Sequence, residues 1–229
     1  MANRTKIKEL ARHLALINLS KRKYTNTEST MSGLGLLELV LGEEVEARKV
    51  RSISRSKKAS NLPDMEFSLE KLNSGIRYHL DKLLRFDWVN KSQNLLVQGG
   101  CGVGKTALIS YLGNMVIEFG LKVFYVNLEE LLLVLSNSCS TQRAKSILSR
   151  IRNVDILVLD DFLYLDISKE ELEKVYKFLI MINDTTSIVF ISNRSPHDWI
   201  DRAEDKYSMQ LFIQRCVASA DTLTLNQAN

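Results

Sequence analysis

Residues 99–106 read GGCGVGKT, and Gly99, Gly104, Lys105 and Thr106 stand at the spacing G-x-x-x-x-G-K-S/T. Glycines at such positions let backbone N–H groups converge on phosphate oxygens with no side chain in the way. A helix that begins at the loop aims its positive end at the same point. The whole run (Gly99, Gly100, Cys101, Gly102, Val103, Gly104, Lys105, Thr106) therefore reads as a nucleotide cradle. Lys105 is expected to reach the β- and γ-phosphates, and the Thr106 hydroxyl to bind magnesium. A chance glycine loop would lack the right flanks. Here an apolar strand, NLLVQ at 94–98, comes before it, and a helix from about Lys105 to Phe119, closed by Gly120, follows.

Working outward, the next decisive element is VDILVLDD at 154–161, a nearly continuous apolar strand that ends in two carboxylates. A strand buried on both faces reads this way, and it would deliver its acidic end beside the glycine loop. Asp160 is expected to hold magnesium through its water shell, since that ion prefers oxygen ligands. Asp161 is then placed to orient or deprotonate an attacking water. Taken alone, a strand ending in Asp-Asp would be a strand leaving into a turn; behind a phosphate loop in one α/β pattern it is the second half of a nucleotide site. Asn193, at the end of the strand SIVFISN (187–193), is the candidate to sense the γ-phosphate. The guanine-reading N-K-x-D is missing, because the Asn90–Lys91 pair lies before the loop and continues Ser-Gln. ATP is thus favoured over GTP.

Further strands are expected at KVFYVNL (122–128) and DTLTLN (221–226), and helices at 128–136, 141–152 and 168–182. Ser168 with Glu171 three residues on forms a capping box for the last of these. Alternating strands and helices predict an α/β fold with a mostly parallel sheet flanked by helices. Before it, Ile7, Leu10, Ala11, Leu14 and Ile17 recur at helical spacing, 23–33 reads as a loop or short helix, and 36–58 is helical and basic in its second half. Pro63 marks the boundary, giving an all-α N-terminal domain at 1–62 and the nucleotide domain at 63–229.

Residues 1–60 carry 13 Lys and Arg against 6 Asp and Glu, whereas 61–229 carry 18 against 21. Such asymmetry fits a nucleic-acid-facing appendage, or else the solvated face of a basic helix. Lys21, Arg22, Lys23, Arg48, Lys49, Arg51, Arg55, Lys57 and Lys58 are the candidate phosphate contacts. Contacts of that kind supply affinity without reading bases, so target preference would come from duplex deformability. No apolar run approaches the roughly 18 residues of a membrane helix. Cys101, Cys139 and Cys216 are scattered, and His13, His79 and His197 make no metal pattern. A reducing, cytoplasmic location without disulfides is expected.

The segments NLLVQGGCGVGKT, ILVLDDFLYLDIS and IVFISNRSPHDW together resemble the IstB-like helper ATPases of insertion sequences, AAA+ proteins close to the DnaC/DnaI helicase loaders. Tyr164–Leu165, Trp88 and the set Ser192, Asn193, Arg194 and Trp199 carry the resemblance beyond the shared ATPase motifs. It implies an AAA+ core, ATP with Mg2+, a homo-oligomer on duplex DNA, and a transposase partner. It also implies an arginine supplied across the subunit boundary, for which Arg215 in LFIQRCV (211–217) is the match, with Gln214 where relatives carry Asp. Three features depart from the family pattern: Asp161 stands where AAA+ enzymes use Glu, Leu163 replaces a glycine, and the chain ends at Asn229 with no helical lid expected. The alternative is a replicative helicase loader; the zinc-bearing kind is disfavoured because residues 1–60 hold no Cys and one His. A regulatory ATP-binding adaptor with little turnover is the third reading.

Overall fold

A computed structural model of the chain describes residues 2–16, 19, 21, 33–137, 141–164 and 166–226. Outside them lie Ile17, Arg22, Lys23, Cys139, Leu165 and, apart from Gly33, the stretch expected as a loop or short helix. The chain divides into two compact units, residues 1–55 and 56–229.

In the first unit helix α1 spans Ala2–His13, and helix α2 runs over Gly33–Ala59, its last turn reaching into the second unit. After Gly42 neither glycine nor proline interrupts α2, and Lys57 and Lys58 in its last turn suit the negative end of the helix dipole. Ala11 and Val40 are buried. So is the Glu44 carboxylate, which accepts hydrogen bonds from Arg48 Nε at 3.1 Å and Arg51 Nη2 at 3.0 Å.

The second unit holds, in chain order, α3 (Ser74–Leu83), α4 (Asp87–Asn90), β1 (Leu95–Gly99), α5 (Lys105–Phe119), β2 (Val123–Asn127), α6 (Leu128–Ser136) and α7 (Gln142–Ile151). Then come β3 (Ile156–Asp160), α8 (Lys169–Ile182), β4 (Ser187–Ser192), α9 (Pro196–Arg202), α10 (Lys206–Cys216) and β5 (Asp221–Leu225). The strands form one parallel sheet in the order β2-β3-β4-β1-β5. Every residue of β3 and β4 is buried, which explains their unbroken apolar runs. Because all five strands run the same way, the loops after β1, β3 and β4 open on one edge of the sheet.

Asn94, expected as the first residue of β1, does something else. Its Nδ2 donates to Asn183 Oδ1 at 2.7 Å and to the Cys216 carbonyl at 2.8 Å, while its Oδ1 accepts from Ile188 N at 2.8 Å. Its own carbonyl accepts from Asp221 N at 3.0 Å. One buried amide thus fastens the entries of β4 and β5 and the end of α10 to the foot of β1. The helices at 74–83, 196–202 and 206–216 escape a motif-led reading because two are short and α10 shows no clean apolar stripe.

The capping box of α8 is present as expected: Ser168 Oγ accepts from Glu171 N, and Glu171 Oε2 accepts from Ser168 N at 2.9 Å. Hydrogen bonds from the backbone and then the side chain of Ser168 hold the Glu171 carboxyl below its usual range. A folded pKa below the unfolded one gives stability that is present above the ordinary Glu value of about 4.3 and lost as pH falls through the lowered value. Ser168→Ala should lower the unfolding free energy by about 1 kcal/mol in urea titrations at neutral pH. That difference should shrink once pH drops below the folded pKa of Glu171.

Candidate active site

Three loops on the carboxyl edge bring the candidate residues together. The β1–α5 loop turns at Gly99 with φ 153°, and Gly104, at φ 91°, is the N-cap of α5. A Cβ on Gly99 would run into the Leu225 carbonyl of β5 and the Val103 side chain, so only glycine lets the loop leave the sheet here. A Cβ at Gly104 would meet nothing within 4 Å, so this glycine answers to its backbone conformation and leaves the space open. The first amides of α5 have no acceptor within the helix and are free to bind an anion. Lys105 Nζ reaches back over the loop to the carbonyls of Gly99 (2.8 Å) and Gly100 (2.7 Å). Cys101, within the loop, is exposed.

Asp160 closes β3 beneath this loop and is only 4% exposed. Its Oδ2 accepts from Thr106 Oγ1 at 2.8 Å and from the Tyr125 hydroxyl at 2.6 Å, and its Oδ1 accepts from Asp161 N at 2.7 Å. Three donors fix a buried carboxylate in place beside a threonine hydroxyl, an all-oxygen pair of the kind magnesium takes. Burial first, then the Asp160 charge, hold the Asp161 carboxyl above its usual range; Lys105 opposes this and Glu129 adds to it. The Tyr125 phenol is raised far above its usual range by burial and by Asp160, so it stays protonated and acts as a donor. Tyr125 is absent from the motif reading, since no pattern marks a tyrosine in β2 as a partner of β3.

Asp161 has φ 50° and Leu163 φ 54°. The turn after the acidic pair is thus built in the left-handed region even though Leu163 is not glycine, at a cost of about 1–2 kcal/mol. Burial of the Leu163 side chain, 5% exposed, offsets that strain. The loop is pinned by Phe162, whose ring packs on Phe190 (4.9 Å between centroids), Trp199 (5.0 Å) and Phe212 (5.5 Å). Ser192 Oγ donates to the Phe162 carbonyl at 2.8 Å and accepts from Trp199 Nε1 at 3.3 Å. Arg194 Nη1 donates to the Leu163 carbonyl at 3.0 Å and to Asp166 at 3.3 Å, and Arg202 forms a two-pronged bond to the same Asp166. Asn193 follows β4, the strand between β1 and β3, and is exposed on the shared edge.

Arg215 is not brought to this edge. It lies in the last turn of α10, exposed and without an ion-pair partner among the described residues, next to Cys216, whose carbonyl bonds Asn94 at the foot of β1. Five residues of β1, on the order of 15 Å, separate that foot from the glycine loop.

Several of the basic candidates among the described residues are already engaged. Arg48, Arg51 and Arg55 share a face of α2, but the first two are engaged by Glu44 and Lys49 falls off that face. Lys57 pairs with Glu118 at 2.8 Å, while Lys21, Lys49, Arg55 and Lys58 are exposed. Among the described residues no helix is long and apolar enough to cross a membrane, and no cluster of His, Cys, Asp and Glu could hold a metal by itself.

The family model for IstB-like ATP-binding proteins matches residues 3–228. The chain belongs to this family. Relatives of the IstB-like chain include a Bacteroides fragilis protein named for an IS21-like insertion sequence and for ATP binding, 25% identical over 95% of this chain and 86% of its own. A Pseudomonas aeruginosa protein named for IS21 itself is 24% identical over 98% of this chain and 84% of its own. Among solved structures, the DnaC helicase loader superposes with TM-score 0.55 at 18% identity, covering 75% of this chain and 98% of that one. DnaI gives 0.56 at 22% identity, covering 69% and 90%, and AMPPCP-bound DnaA from Aquifex aeolicus gives 0.53 at 19%, covering 69% and 49%. At these identities the likeness is one of fold, the AAA+ P-loop fold. The IstB-like chain is an ATP-binding AAA+ ATPase.

Gly99→Ala should unseat the loop against Leu225. We expect an unfolding free energy lower by about 1–3 kcal/mol, as for overpacking, together with loss of binding in a fluorescent ATP-analogue titration.

Proposed function

We propose that this ATPase assembles on duplex DNA and helps a transposase select and use a target in DNA transposition. The observation that carries the reading is near full-length similarity to proteins named for IS21-type insertion sequences. It is supported by the site itself. Lys105 and the amides of α5 would bind the phosphates, and Thr106 and Asp160 would hold Mg2+. When bound, that ion would neutralise charge developing on the transferred phosphoryl group. Asp161, its carboxyl raised and therefore more basic, would orient or deprotonate the attacking water, and Asn193 would report on the γ-phosphate. Arg215 lies at the far end of the sheet from its own loop, so a role in hydrolysis would be at a neighbouring copy's site, with a homo-oligomer as the working form. Exposed Lys21, Lys49, Arg55 and Lys58 would meet DNA phosphates, with binding that falls steeply with salt. A protein working on chromosomal or element DNA in this way acts in the cytoplasm.

The runner-up, a replicative helicase loader, draws support from the fold shared with almost the whole of the DnaC loader structure. Sedimentation with a long duplex, and separately with a single strand of equal length, discriminates the two. Large assemblies that need both duplex and ATP are the expected result, and Asp161→Asn should retain ATP and stabilise them. Assembly on single strands, or only after a replicative helicase is added, would shift the assignment to the loader. Arg215→Ala should spare ATP binding by each subunit yet slow turnover by roughly a thousandfold; normal turnover would remove Arg215 from the site.

A further inference from the structure

Tyr125 is held from both its main chain and its side chain. It lies in β2, an edge strand of the sheet. Its N–H donates to the Ser60 carbonyl at 2.7 Å, and its carbonyl accepts from Asn61 Nδ2 at 3.0 Å. Its hydroxyl donates to Asp160 Oδ2, the oxygen that also accepts from Thr106. Phenylalanine would pack on an edge strand as well as tyrosine does, so the hydroxyl is an addition directed at Asp160.

Residues 57–62 form a clasp on the two elements that frame the site. Ser60, buried, closes the end of α2 by donating from Oγ to the Lys57 carbonyl at 2.7 Å and accepting from Leu62 N at 3.3 Å. Asn61 turns the chain at φ 57°. Leu62 fills a notch on α5: a Cβ on Gly113 would come within 2.8 Å of its Cδ1. Lys57 pairs with Glu118, also on α5. The clasp therefore rests on the helix that begins with Lys105 and Thr106 and on the strand whose tyrosine grips Asp160.

We infer that Tyr125 is a positioning residue for Asp160 that also joins this carboxylate, through its own main chain, to the Ser60–Leu62 clasp, so that the clasp responds to the nucleotide site. The inference rests on the reading of Asp160 as part of the ATP–magnesium site. An Asp160 oxygen that reorients towards an incoming cation must take the Tyr125 hydroxyl with it or give up its bond. Either change is felt at the two backbone bonds that Tyr125 makes to Ser60 and Asn61.

The test uses the full chain with Tyr125→Phe, which removes only the hydroxyl. Its thermal unfolding midpoint without nucleotide should fall by several degrees, because Asp160 loses one of its three donors, and unfolding should remain a single transition above the assay temperature. The Mg2+ concentration for half-maximal binding of a fluorescent ATP analogue should rise roughly tenfold, the scale of a lost hydrogen bond to a charged group, while binding of the analogue in EDTA stays unchanged. Hydrogen exchange at the Tyr125 and Leu62 amides should change on adding Mg2+ and a non-hydrolysable ATP analogue to wild type, and should not change in Tyr125→Phe. Asn61→Gly, which keeps the turn and removes the Nδ2 donor, should shift the Mg2+ dependence in the same direction by less. Unaltered Mg2+ dependence in Tyr125→Phe would overturn the positioning role, and an unresponsive clasp in wild type would overturn the joining. Binding by wild type with none by Lys105→Ala secures the underlying site reading; a wild type that binds no analogue would sink that reading and the inference together.

Discussion

A buried carboxylate that must find its donors inside the protein is the constraint around which the second unit is arranged. Taking a lone carboxylate out of water costs several kcal/mol, so Asp160 can end a fully buried strand only because donors meet it there. Thr106 from α5, Tyr125 from β2 and the backbone of Asp161 supply them. Hydrogen bonds to a charged group contribute about 1.5–3 kcal/mol each, enough in sum to offset the desolvation. Each donor also carries an element with it. The same atoms that satisfy the charge therefore set the distance between the glycine loop and the acidic pair.

A second layer of contacts keeps the following turn in a conformation the backbone resists. Asp161 and Leu163 both sit at positive φ. Phe162, between them, is locked into an aromatic cluster with Phe190, Trp199 and Phe212, and its carbonyl is tied to Ser192. Burying four such rings stabilises the unit by roughly 1.5–3 kcal/mol apiece, more than the turn costs. Strain held this way fixes the direction in which the Asp161 side chain leaves the backbone at the end of β3. Arg194, immediately after Asn193, ties the end of β4 to the same turn through Leu163 and Asp166. The end of β4 and the acidic pair are in this way mechanically one piece.

The two ends of the sheet carry different sets of residues. The loops that gather Lys105, Thr106, Asp160, Asp161 and Asn193 share one edge, while Arg215 is anchored near the foot through Asn94 and Cys216. Burial pushes the Cys216 thiol up to about 11, so it behaves as packing rather than as a nucleophile.

Most of this architecture was legible from residue order because the chemistry involved is local. Phosphate binding needs glycines, a lysine and a threonine within eight positions; a doubly buried strand must be apolar throughout; a capping box is spelled in four residues. The glycine loop, the acidic strand, all five strands and the α8 cap are therefore written in short stretches of sequence, whereas Ser192 and Trp199 are marked only by the family resemblance. Contacts made across the fold leave no such trace. Tyr125 meets Asp160 across 35 positions and Asn61 across 64, and Asn94 gathers partners from three distant segments. Nor could spacing tell which basic residues are spent on neighbours, as Arg48, Arg51 and Lys57 are. Short-range spacing specified the site's components; strand order and burial, which act between residues far apart in the chain, selected the side chains that hold them in place.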